Sequence, residues 1–212
     1  QPRRAGSQGA HRPDECPLLI LVAPTLIDDH LRFRLDDIDP AITAVVLQCE
    51  RAVPGPREFT RDDAGWCLDL PVPSLQRIEY RFAVGRGDAV DIVLDPANPL
   101  TVRTAFGDRS VVELPGYVPP WWLSAPAVPG RLDPHTLTGE TSHEVPVTVW
   151  IPQDLPDTEP APLLLVHDGP EYDQLASITT YSAALIATGV LPPHRVALAA
   201  PVIRDAWYSG SP

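Results

Sequence analysis

A β-sandwich followed by the opening of a parallel α/β sheet is the fold this sequence predicts. Three observations carry that expectation. Apolar and polar residues alternate between Leu31 and Leu94, the period-two signature of half-buried strands. Beyond residue 140 an unbroken apolar run, Leu163-Leu164-Leu165-Val166, replaces the alternation, as in strands covered on both faces. Helical spacing and a second apolar run, Val196–Ala200, come next, so strand, helix and strand form a crossover between parallel strands.

Composition sets the outer limits. The chain has 212 residues, 44% hydrophobic and 21% charged, which is ordinary globular usage and excludes wholesale disorder. No apolar run reaches the roughly 18 residues of a membrane-spanning helix. A formal net charge of -12 repels phosphate backbones and anionic lipid, so neither nucleic acid nor membrane is an expected partner. All 16 basic residues are arginine, methionine is absent, and the chain opens on Gln1. The expectation is a segment of a longer protein. The three cysteines, Cys16, Cys49 and Cys67, have no CxxC spacing and no histidine cluster beside them. Free thiols, no metal site and a cytoplasmic location are the corresponding expectations. Residues 1–10 contain no apolar signal-peptide core.

Along the chain, residues 1–15 are rich in Arg, Gly, Ser and Pro and read as a flexible N-terminus. Residues 16–114 read as the sandwich. Leu31, Phe33 and Leu35 alternate with Arg32 and Arg34; Val45, Leu47 and Cys49 follow the same step. Trp66, Leu68 and Leu70 form a third run, Ile78, Tyr80, Phe82 and Val84 a fourth, and Val90, Ile92 and Leu94 a fifth. Gly85-Arg86-Gly87-Asp88 stands where a hairpin should turn. Residues 115–139 read as a Pro-rich linker containing Trp121-Trp122, either an anchor onto a domain face or a ligand platform. Residues 140–212 carry the α/β pattern: a β-branched strand at Val145–Ile151, then the Leu163–Val166 strand. Leu175, Ile178, Tyr181, Leu185 and Ile186 fall at helical spacing, and Gly189 stands as the terminating residue.

In an open α/β sheet, ligands bind at the carboxyl ends of the strands. Two loops leave such ends. His167-Asp168-Gly169-Pro170-Glu171-Tyr172 breaks a buried strand through a glycine. It is either a βα turn made of ordinary Asp-Gly chemistry or a loop that aims a backbone N–H at a developing oxyanion. Arg204-Asp205-Ala206-Trp207-Tyr208 follows the next strand. It either orients an anionic or aromatic substrate or braces its own loop. The GxSxG elbow of a serine nucleophile does not occur, nor do CxxC, HExxH, GxxxxGK[ST] or GxGxxG. His11, His30, His135, His143 and His194 have no visible catalytic partner.

The run Pro162–Tyr172, the segment Leu191–Leu198 and the segment Arg204–Ser209 together resemble the esterase D type family of α/β-hydrolases, in its enterochelin-esterase-like branch. Arg77–Phe82 followed by Leu94-Asp95-Pro96-Ala97-Asn98-Pro99 is similar to the early-set, immunoglobulin-like domain that precedes the hydrolase in that branch. The resemblance spans roughly residues 16–212 and implies a two-domain protein: an early-set sandwich and the first part of an α/β-hydrolase sheet. It implies a serine esterase acting on a small-molecule carboxylic ester, in the closest branch a catecholate siderophore ester, with no cofactor. By position, Asp168, Gly169, Glu171 and Tyr172 match the oxyanion-hole loop, and Arg204, Asp205, Trp207 and Tyr208 a substrate-proximal loop. No catalytic residue is expected in this chain. The nucleophile, acid and histidine would lie after Pro212, the downstream hydrolase segment would be the chain's partner, and a homo-oligomer is compatible with the reading. The rival expectation is a carbohydrate- or polymer-binding sandwich joined to a non-catalytic hydrolase remnant.

Overall fold

The computed structural model describes residues 24–36, 39–50, 52–138, 144–201. Cys16, the N-terminal stretch and the whole of the Arg204–Tyr208 loop lie outside the described residues. The described residues divide into two units. One comprises the chain up to Pro73 together with Arg81–Leu100; the other comprises Ser74–Tyr80 and the chain from Thr101 onward.

In the first unit, β1 (Thr25–Ile27), β2 (His30–Leu35), β4 (Thr60–Asp62) and β5 (Gly65–Pro71) form an antiparallel sheet in the order β1-β2-β5-β4. Alternation dictates its faces. Leu31, Phe33 and Leu35 are buried, and so are Trp66, Leu68 and Leu70 opposite them in register. The intervening Arg32 and Arg34 reach across the other face to Asp69 and Asp62. β3 (Ala44–Cys49) runs beside β6 (Arg77–Arg86), whose last residues turn through Gly87-Asp88 into β7 (Ala89–Val93). Gly87 has φ +61° at that two-residue turn, the conformation that favours glycine there. Phe82 packs edge-to-face on Phe59 with centroids 5.2 Å apart. The fifth alternating run behaves differently from the others. Val90 is 64% exposed and Ile92 is also exposed, as are Ala89 and Asp91, because β7 pairs with β6 alone among the described residues. The Asp-Pro-Ala-Asn-Pro segment folds on itself. The Asp95 carboxylate accepts the Ala97 N–H at 2.9 Å, and the Asn98 side-chain oxygen accepts the Leu100 N–H at 2.9 Å.

In the second unit the first residues of β6 pair with β9 (Arg109–Glu113), and β9 with β8 (Thr101–Val102). The remaining strands, β10 (Gly130–Thr138), β11 (Glu144–Pro152), β12 (Leu163–His167) and β13 (Arg195–Ala199), form a mixed sheet ordered β10-β11-β13-β12. β12 and β13 pair in parallel, as the crossover reading requires, and β10–β11 and β11–β13 are antiparallel. β10 occupies residues expected as linker. It is an edge strand, where Pro134 can sit without breaking a ladder on both sides. Ahead of it, one 3₁₀ turn, Trp121–Leu123, sets the Trp122 ring edge-to-face against Tyr181 at 5.4 Å, the anchor reading of the tryptophan pair.

The crossover carries two helices instead of one: α1 (Gly169–Ala176) and α2 (Ile178–Ala187). Ser177 between them is left-handed at φ 51°, ψ 45°. The Asp173 carboxylate accepts both the Thr179 N–H at 3.1 Å and the Thr179 hydroxyl at 2.5 Å, capping α2 from the previous helix. Gly189, at φ +71°, ends α2 as expected. The core of this part is Trp150, Ala183, Val196 and Leu198, with Val128, Val166, Ile178 and Ile186 packed against it. The leucines of β12 depart from expectation. Leu163 and Leu165 are 61% and 54% exposed and Leu164 is exposed as well, because β12 is at the sheet edge with β13 as its one neighbour among the described residues.

Candidate active-site loop

The Asp168–Tyr172 turn leaves the carboxyl end of β12 and enters α1 directly. Asp168 takes the left-handed conformation, φ 53° and ψ 32°. The left-handed residue of this turn is Asp168 and not Gly169. Gly169 is needed for a different reason. A Cβ there would lie 2.3 Å from the Leu198 Cα and 2.6 Å from the Leu198 carbonyl carbon. The first turn of α1 therefore sits on the backbone of β13, and only a residue without a side chain allows that approach.

The same turn sets the donors. Tyr172 donates its N–H to the Asp168 carbonyl at 3.0 Å, closing the first helical bond. Pro170, at the second helical position, has no N–H to offer. The Gly169 N–H precedes the helical ladder, and a donor at a helix start is suited to a negative oxygen. Glu171 and Tyr172 are exposed, Asp168 is half-buried and Gly169 is buried.

Beside the turn lies a cavity of about 260 Å³ lined by Ala105, Asp168, Glu171, Tyr172, Leu175 and Ala176. Three of the four predicted loop residues line it. Ala105, Leu175 and Ala176 were not anticipated. Leu175 falls in the helical apolar series, so its period suggested core, and nothing in the sequence around Ala105 marks it. His167 is exposed at the strand end, whereas His194 is buried with Nδ1 3.0 Å from the Pro192 carbonyl oxygen, a structural contact. Among the described residues no group of three His, Cys, Asp or Glu side chains could hold a metal ion.

No family model matches the chain, and no curated protein does. Solved structures do. Ferric enterobactin esterase from Salmonella typhimurium matches with TM-score 0.66 at 16% identity, over 85% of this chain and 55% of that one. Enterobactin esterase from Shigella flexneri, crystallised in the presence of enterobactin, matches with TM-score 0.61 at 19% identity, over 84% and 54% of the two chains.

The likeness is one of fold.

The chain spans about half the length of the esterases it matches. The Asp168–Tyr172 turn stands at the carboxyl end of a strand paired in parallel with β13, the end at which open α/β sheets bind ligands.

Proposed function

We propose that this chain is the front part of a serine carboxylic-ester hydrolase of the enterochelin-esterase type. In this reading the N-terminal sheets are an early-set, immunoglobulin-like sandwich ending near Leu114, and the hydrolase part opens with β10. Serine attacks the ester carbonyl, the N–H groups of the Asp168–Tyr172 turn hold the tetrahedral oxyanion, and water releases the acyl-enzyme. Arg204, Asp205, Trp207 and Tyr208 are the substrate-proximal residues of this reading. The nucleophile, acid and histidine come from chain outside these 212 residues, which contain no GxSxG. The substrate is a small-molecule ester, with catecholate siderophore esters as the nearest class, and the reaction is cytoplasmic.

One observation carries the proposal. The fold of 84–85% of the chain is similar to that of solved esterases, with TM-scores of 0.61 and 0.66. The exposed leucines of β12 add support, since a completed hydrolase sheet would continue past that edge. The carbohydrate-binding alternative calls for a row of rings on a sheet face. Trp66 is instead buried, and the exposed strand β7 presents Val90 and Ile92.

The test is labelling of the full-length protein by a fluorophosphonate and its turnover of para-nitrophenyl esters, beside residues 1–212 expressed alone. Labelling and turnover are expected of the full-length protein and neither of the segment. A full-length protein that neither labels nor hydrolyses any ester would reject the reading, and so would a segment that labels by itself.

A further inference from the structure

We infer that Arg103, on the loop joining β8 to β9, is a specificity-determining residue of the candidate site and takes an anionic oxygen, a carboxylate or phenolate, at the end of the substrate remote from the scissile ester. The inference rests on the esterase reading and narrows its substrate class.

The first ground is how the chain uses its arginines. Among the described residues, every arginine other than Arg103 and Arg109 has a partner: a carboxylate, a backbone carbonyl or another group. Arg103 and Arg109 make neither a hydrogen bond nor an ion pair, and both belong to the β8–β9 hairpin. Arg103 is exposed and lines an open cavity of about 680 Å³ with Thr101, Thr104, Ala105, Gly107 and Asp108. Its guanidinium fork is therefore available to a ligand, and it matches a carboxylate with two parallel donors. Asp108 lines the same cavity without forming an ion pair with Arg103, so it lessens the attraction for an anion but does not occupy the fork.

The second ground is position. Ala105 is common to this cavity and to the one beside the Asp168–Tyr172 turn, and every residue named for the two belongs to the second unit. A substrate whose ester lies at the turn reaches Arg103 by running past Ala105.

The third ground is rigidity. The Thr104 hydroxyl donates to the Gly107 carbonyl at 2.7 Å and accepts the Phe106 N–H at 3.1 Å, and the Gly107 N–H returns to the Thr104 carbonyl at 3.2 Å. The loop is braced by its own bonds, which lowers the ordering cost of binding.

The experiment uses the full-length protein and a matched ester pair, para-nitrophenyl hydrogen glutarate and para-nitrophenyl valerate. The readout is the ratio of kcat/KM for the anionic ester to that for the neutral one. In Arg103→Gln the ratio is expected to fall about threefold to tenfold, the range of a charge-assisted contact in an exposed site. Arg103→Lys keeps the charge without the fork and is expected to recover part of the loss. Asp108→Asn is expected to raise the ratio about threefold. Arg109→Gln removes the same charge from the same hairpin outside the cavity and is expected to change the ratio less than twofold. A parent that hydrolyses only the neutral ester, a ratio that Arg103→Gln leaves unchanged or Asp108→Asn lowers, or a fall as large in Arg109→Gln overturns the inference and leaves the esterase reading standing. Absence of turnover on both esters, together with no fluorophosphonate labelling, overturns the esterase reading and this inference with it.

Discussion

The Gly169 Cα faces the Leu198 backbone so closely that a Cβ on Gly169 would lie 2.3 Å from the Leu198 Cα. Since φ at Gly169 is outside the left-handed region, the constraint is space and not dihedral angle. Gly169→Ala is therefore expected to behave almost as badly as Gly169→Val, with a stability loss of about 1–3 kcal/mol from overpacking. Thermal melts of the two variants check this. A dihedral constraint would instead separate them, with alanine mild and valine severe.

A second glycine meets an aromatic ring. A Cβ on Gly130 would lie 2.3 Å from the Trp150 indole nitrogen, and Trp150 heads the core of the mixed sheet. Gly130→Ala is expected to cost about 1–3 kcal/mol. Trp150→Phe removes the colliding part of the ring at its own cost as a core truncation. The double variant should then cost less than the sum of the two, by about 0.5 kcal/mol or more. Additive losses in urea melts would show that the ring does not set the glycine requirement.

Asp173 joins the two crossover helices through Thr179. Asp173→Ala leaves the start of α2 without its cap and is expected to cost about 1 kcal/mol. Asp173→Asn keeps an acceptor and should recover most of it. Hydrogen exchange at Thr179 is the local readout. Protection there should drop in the alanine variant and persist in the asparagine variant.

Much of this architecture is legible in the sequence because burial on one face leaves a period of two. Leu31 to Leu35 and Trp66 to Leu70 are buried as their spacing requires. The same rule cannot say whether a strand is covered. Val90 and Ile92 keep the period but lie on β7, which pairs with β6 alone among the described residues, so Ala89 to Ile92 are exposed on both faces. β10 was hidden by Pro129 and Pro134, which are loop signals unless the strand lies at an edge. The break at Ser177 was hidden because apolar spacing runs through it from Leu175 to Ile186, and α1 ends on a left-handed serine, a residue type that does not announce that conformation. At the candidate site, the loop was found from its glycine, but the glycine's role depends on Leu198, 29 positions away along the chain. Contacts of that range leave no local pattern.

The last prediction concerns acid. Arg32 holds Asp69 through two hydrogen bonds, of 2.7 and 2.8 Å, and Arg34 holds Asp62 through two, of 3.0 and 3.3 Å. The Arg32 guanidinium keeps the Asp69 carboxyl below its ordinary range. Arg34, with the backbone N–H of Ala64, does the same for Asp62. A carboxylate whose folded pKa is depressed stabilises the fold where it is ionised. That contribution is complete above the unfolded value, about 3.9 for Asp, and is lost as pH falls through the lower folded value. The first unit should therefore hold its melting temperature from neutrality to about pH 4.5 and lose it below pH 4. All four side chains are at least one-third exposed, so the effect is small and salt-sensitive. Melting curves between pH 7 and pH 2.5, at low and high salt, give the readout. Asp62→Asn and Asp69→Asn should each flatten the acid limb, with a smaller difference at high salt. An acid limb as steep in the double variant as in the parent would assign acid sensitivity to other carboxylates.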